Sequence, residues 1–386
     1  MKLSEKVSNI QPSATLAVVT KVVKMKEKGE KVISFGAGEP DFETPEVIKE
    51  AAIKAIRDGK THYTPIGGIS ELKKTIAKKF KVENNLEYLP EEIVVSNGAK
   101  HSLTNAIEAI VNPGDEVIIS SPYWVSYSEM IKLAKGVPVF VETKFEEGFL
   151  LKAEDVEKKI TSKTKAIIIN SPNNPTGCVM GYESLKKIGE LAVKHNLVII
   201  SDEIYEKLVY GEKHISIAAI SPEIKERTIT INGVSKAYAM TGWRIGYLAA
   251  PKHIAKGILD LQGHMTSNPN SIAQYATIAA LEMDNGIIEL MRKEFEARRD
   301  YMYDALSKIK GFKLPPQPEG AFYIFVNIED FKMNSVEFSN YALEKAHVAL
   351  VPGAAFGMDN FVRLSYANSL NEIKEGMEML KKIELK

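Results

Sequence analysis

A single cysteine, Cys178, stands in 386 residues. One thiol closes no internal disulfide and builds no thiolate cluster, so a reducing compartment is expected, with the cytoplasm as the location and no metal site. No run approaches the roughly 20 apolar residues that span a bilayer, and the amino-terminal MKLSEKVSNIQPS lacks the apolar centre of a signal peptide. No membrane partner is expected. Charge of neither sign is in excess. With 50 basic side chains against 50 acidic ones, nothing global attracts nucleic acid, and small molecules are the better partners. Repeats and low-complexity tracts are missing too, while 45% hydrophobic residues suffice for a large core.

What is present is a long alternation of short β-branched runs with helical patterns. Strands are expected at KVISF (31–35), EIVVS (92–96), DEVIIS (115–120), VPVFVE (137–142), KAIIIN (165–170), LVIIS (197–201) and TITIN (228–232). Several are apolar at successive positions, as befits strands covered on both faces in a mostly parallel sheet. Amphipathic stretches such as ESLKKIGELAVKH (183–195) lie between them and predict helices on both faces of that sheet. After residue 267 the pattern becomes one long helical segment. A Pro-rich break, LPPQPEG, then leads to the strand-like AFYIFVNI, which marks a change of domain.

Ligands of parallel α/β sheets gather outside the carboxyl ends of the strands. Four expected strands run into distinctive segments there: EIVVS into NGAKHS, IIIN into SPNNPTG, LVII into SDEIY, and TITIN into GVSK. Taken singly, each has a plain explanation as a turn, a helix cap or a surface charge. Together they gather a lysine, an aspartate, a tyrosine and an asparagine at one sheet edge, with Arg244 eight positions after Lys236. Amino-acid chemistry through an electron sink uses this set. A desolvated lysine forms an imine with an aldehyde cofactor, and an aspartate keeps a pyridine nitrogen protonated. A phosphate is suited by Arg244 and by helix amino-terminal N–H groups in NGAKHS, and a ring oxygen by Tyr205 and Asn174.

SPNNPTG, SDEIYEKLVY, NGVSKAYAMTGWRIGY and FVRLSYA stand in an order and spacing that resemble the class I aminotransferases of fold type I, over essentially the whole chain. The subgroup most resembled is that of bacterial aspartate and aspartate/prephenate enzymes. The resemblance implies an α/β fold: a large domain with a mostly parallel seven-stranded sheet between helices, and a smaller α+β domain. The domain bounds expected are 1–45 for an amino-terminal arm and part of the small domain, 46–289 for the large domain and 290–386 for the remainder of the small one. The implied cofactor is pyridoxal 5'-phosphate. Lys236 would form the imine and transfer protons, Asp202 would partner the pyridine nitrogen, and Tyr205 and Asn174 the ring oxygen. Arg244, Ser235, Ala99 and Lys100 would surround the phosphate. Trp124 would stack on the ring, with Tyr123 the alternative. Gly233 stands where some relatives carry a hydroxyl residue, which implies one phosphate contact fewer.

For the substrate, Arg363 in FVRLSYA resembles the family's α-carboxylate arginine, whose planar fork matches a carboxylate with two hydrogen bonds. Gly38 resembles a glycine whose backbone lies against the substrate. Tyr63 resembles the tyrosine that reaches the cofactor phosphate of a neighbouring subunit, which implies a homodimer. Ser13, Thr15 and Lys100 match the positions that receive a distal carboxylate in the bacterial subgroup. The implied reaction moves the amino group of L-aspartate to 2-oxoglutarate by a ping-pong mechanism, with prephenate open as a further substrate. An aromatic or broad-specificity aminotransferase, or a carbon–sulfur lyase on the same scaffold, is the alternative. A regulator with an aminotransferase-like sensor domain is a third reading. It would need a DNA-binding domain in front, for which the amino terminus leaves no room.

Overall fold

The computed structural model describes residues 2–4, 8, 10 and 14–385, with only the backbone for residues 14–17 and 19. The strands in chain order begin with β1 (Ile33–Ser34), β2 (Ile93–Ser96), β3 (Glu116–Ser121) and β4 (Val137–Glu142). Next come β5 (Thr164–Asn170), β6 (Val198–Asp202), β7 (Thr228–Gly233) and β8 (Gly246–Ala249). The last are β9 (Tyr323–Asn327), β10 (Val348–Ala349), β11 (Val351–Pro352) and β12 (Phe361–Ser365).

The central sheet has seven strands in the order β2-β8-β7-β6-β5-β3-β4. β8 runs antiparallel to both its neighbours, whereas the other paired strands are parallel. Its apolar residues sort by the two-residue period of a strand. Ile118, Ile167, Ile169 and Ile199 share one core with Leu185 and Ile188 of the helix Tyr182–Lys194. Val117, Ile119, Ile168, Ile200 and Ile231 face the opposite core, with Leu103 and Ile107 of the helix Ala99–Ile110. Each covered Ile or Leu stabilises by about 2 kcal/mol, which is why continuous apolar runs marked these strands in the sequence.

Two expectations need correction. KVISF supplies only the short β1, which pairs in parallel with β10 outside the central sheet. The seventh central strand is instead β8, whose terminal Gly246 and Ala249 gave it weak β-propensity. The long helical segment is also two helices, Ser271–Glu282 and Gly286–Ser307. They separate where Asp284 Oδ1 accepts a hydrogen bond from Gly286 N at 2.7 Å, a local bond that competes with the helical ladder.

The carboxyl-terminal part builds its own core. Phe322, Ile324 and Val326 on and beside β9, Leu364 on β12, and the helices Ser335–Ala346 and Leu370–Leu380 close around it. Phe35 from the amino-terminal side and Phe295, Met302 and Leu306 of the helix Gly286–Ser307 join the same cluster. The sheet order β11-β12-β9 places Arg363 on its middle strand.

A charged pair is buried beside the sheet. The Lys79 side chain is 3% exposed and pairs with Glu206, while Asn84 accepts from Lys79 Nζ and donates to Glu206 Oε2, each at 2.7 Å. Burial alone would raise the Glu206 carboxyl, but Lys79, His214 and Asn84 bring it down to about 2. Because this folded value lies below the usual 4.5, the pair's stabilisation is present above pH 4.5 and is lost as pH falls toward 2. Lys79→Met is expected to cost about 3–5 kcal/mol by stranding a buried carboxylate. Denaturant unfolding at pH 7 checks this, and the paired variant Lys79→Met, Glu206→Met should recover much of the loss.

Candidate active site

The carboxyl ends of the parallel strands open onto a cavity of about 370 Å³. Asn170 and Asp202 end β5 and β6 side by side in register, and the segments after them carry Asn174 and Tyr205. Ser235 and Lys236 follow β7. The reversed β8 starts at this same edge, since Gly246 is paired with both Gly233 and Ser96. Arg244, two residues ahead of it, therefore arrives here from the start of a strand rather than from the end of one. A side chain on Gly246 would lie 2.7 Å from Ala99 Cα, so glycine lets the helix Ala99–Ile110 press its amino terminus onto the sheet edge. Gly98 caps that helix at φ +87°, and the Arg244 guanidinium occupies the space its side chain would fill.

Lys236 Nζ donates to Gly38 O at 2.5 Å and lies 5.8 Å from the Tyr205 ring centroid. Burial pulls its ammonium down to about 8; Arg363 and Arg244 act in the same direction, and Glu39 and Asp202 oppose them. A neutral amine is thereby accessible near physiological pH. Asp202 Oδ2 accepts from Tyr127 OH at 2.6 Å and Oδ1 from Ile204 N at 3.3 Å. Burial still raises this carboxyl to about 6, against those hydrogen bonds. It forms no ion pair among the described residues. A buried carboxylate that two donors orient but no cation neutralises is the partner a protonated ring nitrogen requires.

Asn174 is set by its backbone N–H, which donates to Asn170 Oδ1 at 2.9 Å, and Asn170 in turn donates to Asp202 O at 3.1 Å. Arg363 is 2% exposed and spreads its fork between Asn174 Oδ1 at 3.0 Å and Gly36 O at 2.9 Å, leaving Nε without a partner. Its guanidinium lies 4.3 Å from the Tyr323 ring centroid. Trp124 lines the cavity with Lys100 Nζ 4.9 Å from its ring centroid. Tyr123 instead stacks on Phe140, with the ring centroids 5.1 Å apart. Lys100 is exposed to solvent overall, yet partial desolvation together with Arg244 lowers its ammonium.

Gly38, Ala99, Lys100, Trp124, Asn174, Asp202, Tyr205, Ser235, Lys236, Arg244 and Arg363 are thus brought to one cavity. Tyr63 is not: it is 92% exposed and lines a separate groove with His62 and residues 266–271. Ser13 lies outside the described residues, as does the Thr15 side chain. Tyr127, Tyr323, Asn170 and Thr241 also line the cavity and were missed. Tyr127 follows Trp124 by three positions, one helical turn, and that spacing was the available signal for it. Tyr323 lay in an apolar strand pattern that gave none.

The family described as aminotransferase class I and II matches residues 30–380. The chain belongs to that family. It is 50% identical to an aspartate aminotransferase of Geobacillus stearothermophilus, over 98% of each chain. It is also 50% identical to a probable aspartate/prephenate aminotransferase of Aquifex aeolicus, again over 98% of each. The aspartate aminotransferase of Thermus thermophilus, solved with maleate, superposes with a TM-score of 0.95 at 44% identity, covering 98% of both chains. Among the described residues no helix is long and apolar enough to cross a membrane.

Proposed function

We propose that the protein is a pyridoxal-phosphate-dependent aminotransferase that moves the amino group of L-aspartate to 2-oxoglutarate, forming oxaloacetate and L-glutamate. The observation that carries this reading is the gathering in one cavity of Lys236, brought down by burial to about 8, and of Asp202, a buried carboxylate raised to about 6 that forms no ion pair among the described residues. Lys236 would hold the cofactor covalently, Asp202 its ring nitrogen, and Tyr205 and Asn174 its ring oxygen. Arg244, Ser235 and the helix start at Ala99 and Lys100 would hold its phosphate, and Trp124 the face of its ring. Bound there, the cofactor supplies the aldehyde that takes up the amino group and the electron-accepting ring that makes the α-proton acidic.

Arg363 orients the substrate through its α-carboxylate, which displaces the guanidinium's contacts with Asn174 and Gly36. Nζ of Lys236, released when the amino acid takes its place, moves the proton between the two carbons that flank the transferred nitrogen. Gly38 O, its acceptor before substrate arrives, gives that amine a fixed starting position. Lys100, with Ser13 and Thr15, is assigned to the distal carboxylate. Maleate in the Thermus protein is a four-carbon dicarboxylate, which supports this size of substrate, and the Aquifex relative's name supports prephenate as a further one. The proposal includes a cytoplasmic homodimer in which Tyr63 of a second copy completes the phosphate site. It also includes the division into residues 1–45, 46–289 and 290–386.

The test is a titration of the cofactor-loaded protein with L-aspartate in the absence of any oxo acid. The visible absorbance should be lost as one equivalent of oxaloacetate appears, and 2-oxoglutarate should restore it. Release of ammonia would assign a lyase instead. A response to aromatic amino acids but not to aspartate would overturn the roles of Ser13, Thr15 and Lys100.

A further inference from the structure

One buried phenol in the cavity has no part in the mechanism above. Tyr323, on β9, is 1% exposed, and its hydroxyl lies 2.9 Å from that of Tyr205. The antiparallel register pairs Arg363 with Phe325 and Ser365 with Tyr323, so Tyr323 and Arg363 are diagonal neighbours on one face of the sheet. That places the guanidinium against the Tyr323 ring. A carbon built on Gly38 would stand 3.1 Å from the Tyr323 hydroxyl, so the backbone that accepts from Lys236 passes the same atom. A single side chain thus touches the carboxylate arginine, the ring-oxygen tyrosine and the glycine next to the lysine.

We propose that Tyr323 is a positioning residue whose hydroxyl donates to the Tyr205 oxygen, fixing Tyr205 as the donor toward the cofactor's ring oxygen and tying that donor to Arg363. The proposal rests on the cofactor reading given above. Either hydroxyl could donate on distance alone. Burial raises both phenols. Arg363 counters the effect at both and the bond to Tyr205 counters it at Tyr323, whereas Tyr205 is held well above its ordinary range, with Tyr323 and Asp202 adding to burial. Each phenol has one proton, and with that of Tyr205 assigned to the cofactor's ring oxygen, Tyr323 supplies the one between the two hydroxyls. Tyr205, its oxygen already accepting, turns its own proton outward, and a hydroxyl that accepts one hydrogen bond donates a stronger one. The charged groups facing this pair are Arg363, Asp202 and Lys236.

The experiment is a pH titration of the visible absorbance of the bound cofactor in the loaded wild type, Tyr323→Phe, Tyr205→Phe and the double variant. Kinetics with L-aspartate are measured alongside. Loss of a donor to an anionic ring oxygen disfavours the deprotonated form, so Tyr323→Phe should move the midpoint up by roughly half a pH unit and Tyr205→Phe by more. The double variant should move it no further than Tyr205→Phe alone. Tyr323→Phe keeps the ring under Arg363, so kcat should fall about threefold with KM within about twofold, whereas Tyr323→Leu should also raise KM about tenfold. A Tyr323→Phe midpoint equal to wild type overturns the proposal, as does a double variant whose shift is the sum of the two singles. A wild type that takes up no cofactor overturns the reading beneath it as well, and the wild-type spectrum alone separates that failure from the others.

Discussion

Lys236→Ala is expected to lower turnover by at least about 10⁴-fold, because no other amine in the cavity can both anchor the cofactor and carry the α-proton. Lys100, Arg244 and Arg363 are the other cationic side chains in the lining, and each is assigned above to a phosphate or a carboxylate. The variant should remain folded and still bind the cofactor reversibly through the phosphate and ring contacts, which equilibrium dialysis and absorbance can measure. Near-normal turnover would reject the assignment. A stability effect accompanies the catalytic one. The folded-state value of Lys236, about 8, lies below its unfolded value near 10.5, so the unfolded chain binds more protons between those limits and stability rises with pH across them. Below pH 8 the cofactor-free wild type bears the full penalty of a buried ammonium, and Lys236→Ala should melt at a higher temperature than wild type. That advantage should shrink as pH approaches 10.5.

Asp202→Ala is expected to lower kcat by roughly 10³-fold, the scale set by removing one preorganised charge from the place where charge develops. Asp202→Asn separates charge from shape. The amide oxygen can still accept from Ile204 N while its NH2 donates to the Tyr127 oxygen, so both contacts can persist, one of them reversed, while the negative charge does not. If the ring nitrogen needs the charge, the two variants should be similarly slow and both should bind cofactor more weakly than wild type. An Asp202→Asn enzyme within about tenfold of wild type would mean that orientation, not charge, is what this residue supplies.

The parts legible in the sequence were those written in local chemistry. Six central strands announced themselves as short β-branched runs, unbroken and apolar where both faces are covered as in β5 and β6, while β8 escaped because glycine and alanine bound it. Asn174, Asp202, Lys236 and Arg363 could be named because each stands in a short segment resembling one whose chemistry is known. Tyr323 and Tyr127 could not, because their importance lies in what they touch. The 2.9 Å contact between Tyr323 and Tyr205 joins residues 118 positions apart, and only the folded strand order brings it about. Tyr63 is the reverse case: its motif was legible, but the site it implies belongs to a second copy, and on the single chain Tyr63 is exposed along a separate groove.

The reversal of β8 has a consequence for how the site keeps its dimensions. β7 and β8 are adjacent antiparallel strands, so residues 234–245 form a single hairpin loop whose ends are locked by the pairing of Gly233 with Gly246. Lys236 stands near one end of that loop and Arg244 near the other. The two groups assigned to opposite ends of the cofactor are thus set apart by one closed span, like the jaws of a fixed-gauge calliper. Gly38 and Arg363 stand outside that span, on the amino-terminal side and on β12. A one-residue insertion or deletion between Ala237 and Trp243 would alter the gauge itself, even though it replaced none of the groups assigned to the cofactor.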